Sequence, residues 1–492
     1  MENSRSRLSP MLLVDKQPFL EDDCACPDSS RLFVANQEPV LENDCACPTT
    51  SSMVRQQRDE NRLYGQIENV FVDSLPQGFR LAFSPYAPQG PSALNTPAWE
   101  RWQSFNQPQQ LTHPVDYLLA EQNLILPVGE ASHPLPSHPE SLTVWLHVTN
   151  ACNLDCPYCY VQKSPASMSE AVGREAIDKI FQTAQTHQFK SVKLKYAGGE
   201  ATLQFGRIKK LSTLARSLSK ESGINLSEVV LSNGTHIRPE DAAWLIENNM
   251  RLMISLDGVG KIHDQMRPYR NGKGSFQAIS QTIDRVLLPR GIIPMLTITI
   301  TQQNAAGTAE AVRWALERDL PVSLNFYRHN PDSLLDLAAE ENVLIDGMLA
   351  AYKVYEEILP SRPFLNGLLD RVQASGHRYT CGVGSSYLVI NHNGALAQCQ
   401  MLLDKPVSPI LMEDLLAQVQ NGPLHNLAVE QKETCHTCVF RYRCAGGCPL
   451  ETYQVSSRWD APSPNCHIYK TLLPFALRLE GLRLLKNHGY LN

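Results

Sequence analysis

The pattern of apolar and polar positions changes character along the chain. Residues 1–60 show no sustained apolar period and are rich in Asp, Gln, Ser and Pro. A mobile tail is predicted there. Over 61–140 the signals are short. GFRLAF (78–83) alternates like a strand, and TPAWERWQSF (96–105) starts like a helix, with Thr96 as N-cap, Pro97 in the first turn and Glu100 beyond. A second helix, VDYLLAEQ (115–122), leads into the apolar run LILPV, and the Pro- and Ser-rich stretch 131–141 reads as a linker. From 141 to 330 the pattern becomes regular. Six apolar runs occur at 143–149, 191–198, 227–233, 251–258, 294–300 and 321–328. Helical patterns such as SEAVGREAIDKIFQTAQTH and PEDAAWLIENN separate most of them. Strands spaced by helices predict parallel βα units. Six units fall short of a closed eight-stranded barrel, so the fold class is α/β, a partial (β/α)6 TIM-type barrel with a small N-terminal α+β module. A helical connector is predicted over 331–374, with 334–358 helical throughout. A Cys-rich domain follows over 375–470, and a C-terminal helix over 471–492 carries an apolar stripe that reads as core.

Charge sharpens the division. Residues 1–60 hold 11 acidic against 6 basic side chains, which is most of the net charge of −6 of the 492-residue chain. The near-neutral remainder gives no electrostatic reason to bind nucleic acid. No stretch approaches the ~20 apolar residues of a membrane helix, and the N-terminal apolar run is too short for a secretory signal. A cytoplasmic protein is expected.

The 14 cysteines fall into three groups. Cys24, Cys26, Cys45 and Cys47 lie in two copies of a period-21 repeat, QPFLEDDCACP and EPVLENDCACP. Cys152, Cys156 and Cys159 follow the first barrel strand. Cys381, Cys399, Cys435, Cys438, Cys444, Cys448 and Cys466 occupy the C-terminal domain. Scattered packing cysteines do not cluster in this way, so metal or cluster ligation is the better reading. Three thiolates on one tight loop can hold three irons of a [4Fe–4S] cluster and leave the fourth open to a small molecule. A closed zinc site wants four ligands, for which the neighbouring His147 is the fourth candidate.

The order C-NLD-C-PY-C, then YAGGE, LSNGT and SLDGVGKIHDQMRPYRNGKGSF resembles the radical S-adenosylmethionine (SAM) family over about 141–330. The resemblance implies that the open iron chelates SAM and that one-electron cleavage gives a hydrogen-abstracting 5′-deoxyadenosyl radical. It implies that Tyr158 lies near the adenine, that Gly198 and Gly199 admit close backbone approach, and that Glu200 binds the SAM amino group. It makes Ser232, Asn233, Ser255 and Arg267 candidates for the ribose and carboxylate of SAM. The family's usual proline after GGE is Ala201 here. An Asn-Gly pair alone is only a turn, and Asp257 alone is only a loop cap.

The C-terminal spacing, Cys381-x12-Gly394-x4-Cys399 and then Cys435-x2-Cys438-x5-Cys444-x3-Cys448-x17-Cys466, resembles the SPASM auxiliary-cluster domain. The resemblance implies a distal [4Fe–4S] cluster on Cys435, Cys438, Cys444 and Cys466, and a proximal one on Cys381, Cys399 and Cys448. The stretch before Cys381, QASGHRYT, has no further cysteine. His377, an N-terminal cysteine, a small external ligand or the substrate is left to complete the proximal cluster. Two zinc knuckles are the competing reading. Auxiliary clusters would accept an electron from a substrate radical.

The family resemblance implies an enzyme of the peptide or protein maturase type. Its substrate would be a ribosomally made precursor peptide, its electron donor a flavodoxin or ferredoxin, and its product a crosslink, thioether or local oxidation. Formylglycine generation on a sulfatase is the alternative within the class, and a non-catalytic iron–sulfur or zinc scaffold the alternative outside it. Residues 61–140 read either as a leader-recognition module or as a packing extension of the barrel. The CACP repeats read as incidental tail, metal or cluster ligands, redox thiols or a fused substrate. Arg328 and His329, at the end of the sixth strand, are expected near the site. No general base is identified.

Overall fold

The computed structural model describes residues 9–15, the backbone of 31–32, and 62–491 except 89, 130–134, 136–138 and 330–336. The CACP cysteines lie outside the described residues. Residues 9–15 are ordered, where the sequence pattern predicts a mobile tail. Strand β1 (Leu12–Leu13) belongs to the N-terminal module, and β2 (Arg31–Leu32) pairs with a short strand beside the barrel. The rest of the module is β3 (Tyr64–Gln66), β4 (Phe71–Ser74), β5 (Arg80–Phe83), β6 (Ser92–Leu94), α1 (Thr96–Ser104), α2 (Pro114–Glu121) and β7 (Ile125–Pro127). One antiparallel sheet runs β1-β6-β5-β4, and β3 pairs with β7. The N-cap of α1 is Asn95 rather than Thr96. The Asn95 side chain accepts from the Ala98 amide at 3.0 Å, while Thr96 is already helical. Pro97 sits in the first turn as expected.

The barrel alternates as the six apolar runs predict. It comprises β8 (Ser141–Thr149), α3 (Glu170–Thr186), β9 (Ser191–Gly198), α4 (Phe205–Ser222), β10 (Asn225–Ser232), α5 (Pro239–Glu247) and β11 (Arg251–Ser255). It continues through α6 (Lys261–Met266), α7 (Phe276–Gln281), β12 (Ile292–Ile293, the partner of β2), β13 (Met295–Ile300), α8 (Thr308–Leu316) and β14 (Val322–Phe326). All nine residues of β8 are buried, as a strand covered on both faces requires. The six strands β8, β9, β10, β11, β13 and β14 are parallel. The predicted connector helix is shorter than 334–358. Its described part, α9 (Glu341–Ile358), starts after the non-helical stretch 337–340.

The Cys-rich region adds α10 (Leu365–Leu368), β15 (Tyr387–Ile390), β16 (Leu396–Ala397), α11 (Leu415–Gln420), α12 (Arg441–Cys444), α13 (Pro449–Ser456) and α14 (Cys466–Asn487). Strand β15 lies parallel to β8, and β16 antiparallel to β15, so the sheet order is β14-β13-β11-β10-β9-β8-β15-β16. The Cys-rich region thus extends the barrel sheet. Helix α14 begins before 471, and its buried residues (Ile468, Tyr469, Leu472, Leu477, Leu484 among them) surround the axis. It lies in the core, with Gly481 against Leu75 and Leu81 of the N-terminal module. Among the described residues, no helix is long and apolar enough to cross a membrane.

Candidate active site at the barrel mouth

One cavity of about 280 Å³ opens at the C-terminal ends of the barrel strands, where sites of this architecture form. Cys152, Cys156, Tyr158, Cys159, Gly198, Gly199, Glu200, Ser232, Asn233, Ser255 and Arg267 all line it, together with Cys399 and Cys448. The loop after β8 is folded by its neighbours. Leu154 N–H donates to Cys152 Sγ at 3.4 Å, and Cys159 N–H to the Cys156 carbonyl at 3.2 Å. Asn233 Nδ2 donates to Asn153 Oδ1 at 2.8 Å, and Asn153 Nδ2 to Thr235 Oγ1 at 2.7 Å, tying the loop to the end of β10. The glycines of YAGGE make room for it. A Cβ on Gly198 would stand 2.4 Å from the Thr149 carbonyl oxygen, and one on Gly199 2.5 Å from that of Ala151. Real side chains do not tolerate such contacts.

Glu200 is buried (1% exposed) and held on both oxygens. Oε1 accepts from Thr202 N–H at 3.0 Å, Thr202 Oγ at 2.5 Å and Ser232 Oγ at 2.9 Å, and Oε2 accepts from Asn233 N–H at 2.6 Å. Ser232 therefore spends its hydroxyl proton on Glu200. Four bonds of this kind fix a buried carboxylate in direction. Asp257 organises the opposite wall. It accepts from Tyr158 Oη, from Arg267 Nε at 2.6 Å and from Thr299 N–H at 2.9 Å. The Arg267 guanidinium also lies over the Tyr158 ring, 5.4 Å from its centroid. Burial pushes the Tyr158 phenol well above its ordinary range, so it acts as a donor. Asp257 does far more than cap a loop, as does Asn153. Neither carries a distinctive spacing in the sequence; what marks them is convergence from elements distant in the chain.

The C-terminal cysteines separate into two sets. Cys435, Cys438, Cys444 and Cys466 line a small enclosed pocket with Ser463 and Lys470. Cys399 and Cys448 face the barrel cavity, and Arg371 interacts electrostatically with them and with Cys381. Cys399 follows β16 directly, so the sheet extension carries it to the mouth. Lys432 is buried (1% exposed) between the two sets, interacting with Cys435, Cys444, Cys381 and Cys448, and its ammonium donates to the Ala445 carbonyl at 3.0 Å. Burial lowers its pKa.

The remaining candidates divide. Arg328 lines the cavity and is bound to buried Asp370 at 2.6 Å; burial raises the Asp370 pKa while Arg328 opposes the rise. His329 is exposed and does not line the cavity. His147 directs Nε2 to Asn150 Oδ1 at 2.7 Å and stays out of the cavity, and burial depresses it to about 4. His377 is buried, with Nδ1 3.3 Å from the Ser375 carbonyl. Among the described residues, no three His, Cys, Asp or Glu side chains converge on one point as a single ion requires. A cluster takes its thiolates one per iron, with the irons apart. Three thiols around one open cavity, no fourth side-chain ligand on the loop and glycines clearing the approach fit a [4Fe–4S] cluster with SAM on its open iron.

The chain matches the model of the Radical SAM superfamily over residues 146–301. It is 31% identical over 393 residues to the Fe-coproporphyrin III synthase of Methanosarcina barkeri, spanning 70% of this chain and 93% of that protein. It is 25% identical over 351 residues to the antilisterial bacteriocin subtilosin biosynthesis protein AlbA of Bacillus subtilis, spanning 68% of this chain and 71% of that protein. Its fold is similar to that of native anSMEcpe with bound AdoMet and Cp18Cys peptide (TM-score 0.57, 18% identity, 70% of this chain and 99% of that one).

Proposed function

The chain belongs to the radical SAM superfamily, and on that premise we propose that it is a SPASM-type maturase that modifies a ribosomally made peptide. The observation that carries this reading is the shared cavity. Cys152, Cys156 and Cys159 line it on one side, Cys399 and Cys448 on the other. A substrate between them meets a hydrogen acceptor and an electron acceptor at once. Cys152, Cys156 and Cys159 would hold the SAM cluster. Cys381, Cys399 and Cys448 would hold a proximal auxiliary cluster, and Cys435, Cys438, Cys444 and Cys466 a distal one.

When bound, cluster and SAM supply a reductive cleavage that ends in abstraction of a substrate hydrogen by 5′-deoxyadenosyl. The chain's own residues set its geometry. Glu200, fixed by Thr202, Ser232 and the Asn233 amide, presents a carboxylate to an ammonium group. Asp257 locks Arg267 and Tyr158, so the guanidinium faces the cavity as a fixed cation for a carboxylate. SAM, a substrate C–H and a substrate thiol give methionine, 5′-deoxyadenosine, the thioether and one proton. The electron that cleaves SAM would return to an electron carrier such as a flavodoxin or ferredoxin, and the auxiliary cysteines would hold the clusters that accept it.

The iron-coproporphyrin relative favours a second reading, a tetrapyrrole carboxylate as substrate. Of the basic side chains in the cavity wall, Lys163, Arg328 and Arg371 already carry Asp155 and Asp370 as partners and Arg267 is given to the carboxylate of SAM, leaving little cationic surface for propionates. The test is anaerobic turnover with the reconstituted chain, offering a cysteine-containing peptide encoded beside its gene or an iron tetrapyrrole with the side chains of a precursor of iron-coproporphyrin III. Loss of two hydrogens from the peptide, stable to thiol reduction, supports the maturase. Formation of iron-coproporphyrin III from the tetrapyrrole with an unchanged peptide overturns it.

A further inference from the structure

The ordered segment 9–15 is gripped by three parts of the fold. Strand β1 pairs antiparallel with β6, in the register Leu12↔Leu94 and Leu13↔Ala93. Asn95, itself buried (4% exposed), closes the end of this pairing. Its Oδ1 accepts from Met11 N–H at 2.9 Å, its Nδ2 donates to the Ser9 carbonyl at 2.9 Å, and its own N–H donates to the Met11 carbonyl at 3.1 Å. Leu12 belongs to the buried cluster that holds Ala98, Trp99 and Trp102, and Leu13 to the main core, which also holds Leu81 and Phe83. Asp15 is ion-paired with buried Arg483 of α14, and Tyr490 Oη donates to Met11 Sδ at 3.1 Å. This is strand addition to a sheet edge, with backbone bonds for affinity and side pockets for selectivity.

The gripped sequence is also part of the repeat. At the period of 21 set by the CACP copies, Met11-Leu12-Leu13-Val14-Asp15 aligns with Leu32-Phe33-Val34-Ala35-Asn36, and Ser9 with Ser30. Each unit is thus an apolar run ending in Asp or Asn, followed nine positions later by Cys-Ala-Cys-Pro, at Cys24 and at Cys45. Nine residues span at most ~30 Å, against a radius of gyration of ~23 Å for a compact chain of this size. The edge takes one run at a time. Here the first copy fills it, and Leu32 of the second pairs with Ile292 of β12 instead.

We propose that the edge beside β6 is a recognition site for the apolar half of this repeat, and that the barrel site modifies the thiols that follow it in the same chain: Cys24, Cys26, Cys45 and Cys47. The chain then carries its own substrate, with Met11–Asp15 as the docking strand. This rests on the maturase reading and names its substrate. Each thioether removes one hydrogen from a cysteine thiol, which leaves as a proton, and one from a carbon, which leaves in 5′-deoxyadenosine, with SAM as the reagent consumed.

The test uses the full reconstituted chain with SAM and dithionite under anaerobic conditions. The product is then treated with a thiol reductant, which reverses disulfides and spares thioethers, and the mass of residues 1–60 is measured. The expected result is loss of two hydrogens per link in peptides that contain the CACP cysteines. In Leu13→Asp the ratio of linked first repeat to 5′-deoxyadenosine should fall at least tenfold. Should that variant fold poorly, Phe33→Asp gives the parallel reading on the second repeat. An unchanged tail mass in a chain that cleaves SAM and modifies a separate peptide overturns this inference and leaves the maturase reading standing. A chain that forms no 5′-deoxyadenosine overturns both.

Discussion

Asp257 shows what one residue does for the site. Its carboxylate joins Tyr158, Arg267 and the Thr299 amide, from three separate segments of the barrel. Asp257→Asn keeps the shape but removes the charge that holds Arg267. Displacements of about 1 Å at reacting centres cost ~100-fold. We expect 5′-deoxyadenosine formation to drop by that order, measured by chromatography of SAM turnover; near wild-type turnover would show that Arg267 is positioned otherwise. His263 supports the same loop, its Nδ1 3.3 Å from the Asp257 amide and its Nε2 3.1 Å from Ser275 Oγ. Burial, aided by Arg267 and opposed by Asp257 and Asp264, holds it down to about 4. The unfolded chain protonates this histidine near pH 6.5, while the folded chain resists until about 4. Its contribution to stability is therefore present above pH ~6.5 and lost as pH falls toward 4, by up to ~1.4 kcal/mol per pH unit. Urea unfolding of His263→Gln should show a shallower acid slope than wild type across that window; equal slopes would contradict the assignment. At this scale the cysteines, YAGGE and Arg267 were legible because their order is distinctive. Asp257, Asn153 and Thr202 were not, because a single Asp, Asn or Thr carries no signal of which distant residue it will meet.

At the scale of elements, the alternation of apolar runs with helical patterns foretold the six parallel strands, since strands buried on both faces read as continuous apolar runs. It missed β1, a strand of only two residues in a polar tail. Its stability comes from Asn95, Arg483 and Tyr490, which lie far away in the chain. It also placed the α1 cap one residue late, because Asn and Thr are both good caps and only geometry chooses between them. Helix α2 gives a local test. Asp116 is fully buried as a side chain and bound to Arg101 at 2.7 Å. Burial raises its pKa, but Arg101 and the Thr112 and His113 amides more than offset this and leave it below the usual carboxylate range. Asp116→Ala removes the acceptor of the Thr112 and His113 amides and the partner of a quarter-exposed Arg101, and should cost about 1–3 kcal/mol at neutral pH, read from urea unfolding. A loss under ~1 kcal/mol, as for a surface pair, would contradict the buried-pair account.

Across the whole molecule, the Cys-rich region does not hang from the barrel as a separate bead. Strands β15 and β16 prolong the barrel sheet from β8, which delivers Cys399 to the cavity that Cys152, Cys156 and Cys159 open on, where Cys448 also lies. The sequence spacing grouped the cysteines but carried no sign of this sheet continuity, since β15 and β8 lie more than 200 positions apart. Lys432 sits between the two C-terminal sets, and its stem packs where a Cβ on Gly446 would stand, 2.4 Å from Cδ. A buried positive charge favours the reduced, more negative form of nearby clusters. Lys432→Met should shift their midpoint potentials downward in an EPR-monitored redox titration; an unchanged titration would place the charge elsewhere.

We assign the SAM-cleaving centre to the three cysteines after β8, apart from the C-terminal seven. Its most direct test compares iron content and 5′-deoxyadenosine formation in the wild-type chain and in a Cys152→Ala, Cys156→Ala, Cys159→Ala variant, both reconstituted anaerobically. Three [4Fe–4S] clusters predict about 12 irons in the wild type and about 8 in the variant, with SAM cleavage abolished in the variant alone. Cleavage that survives the triple substitution, or zinc in place of iron without cleavage in either chain, would contradict the account.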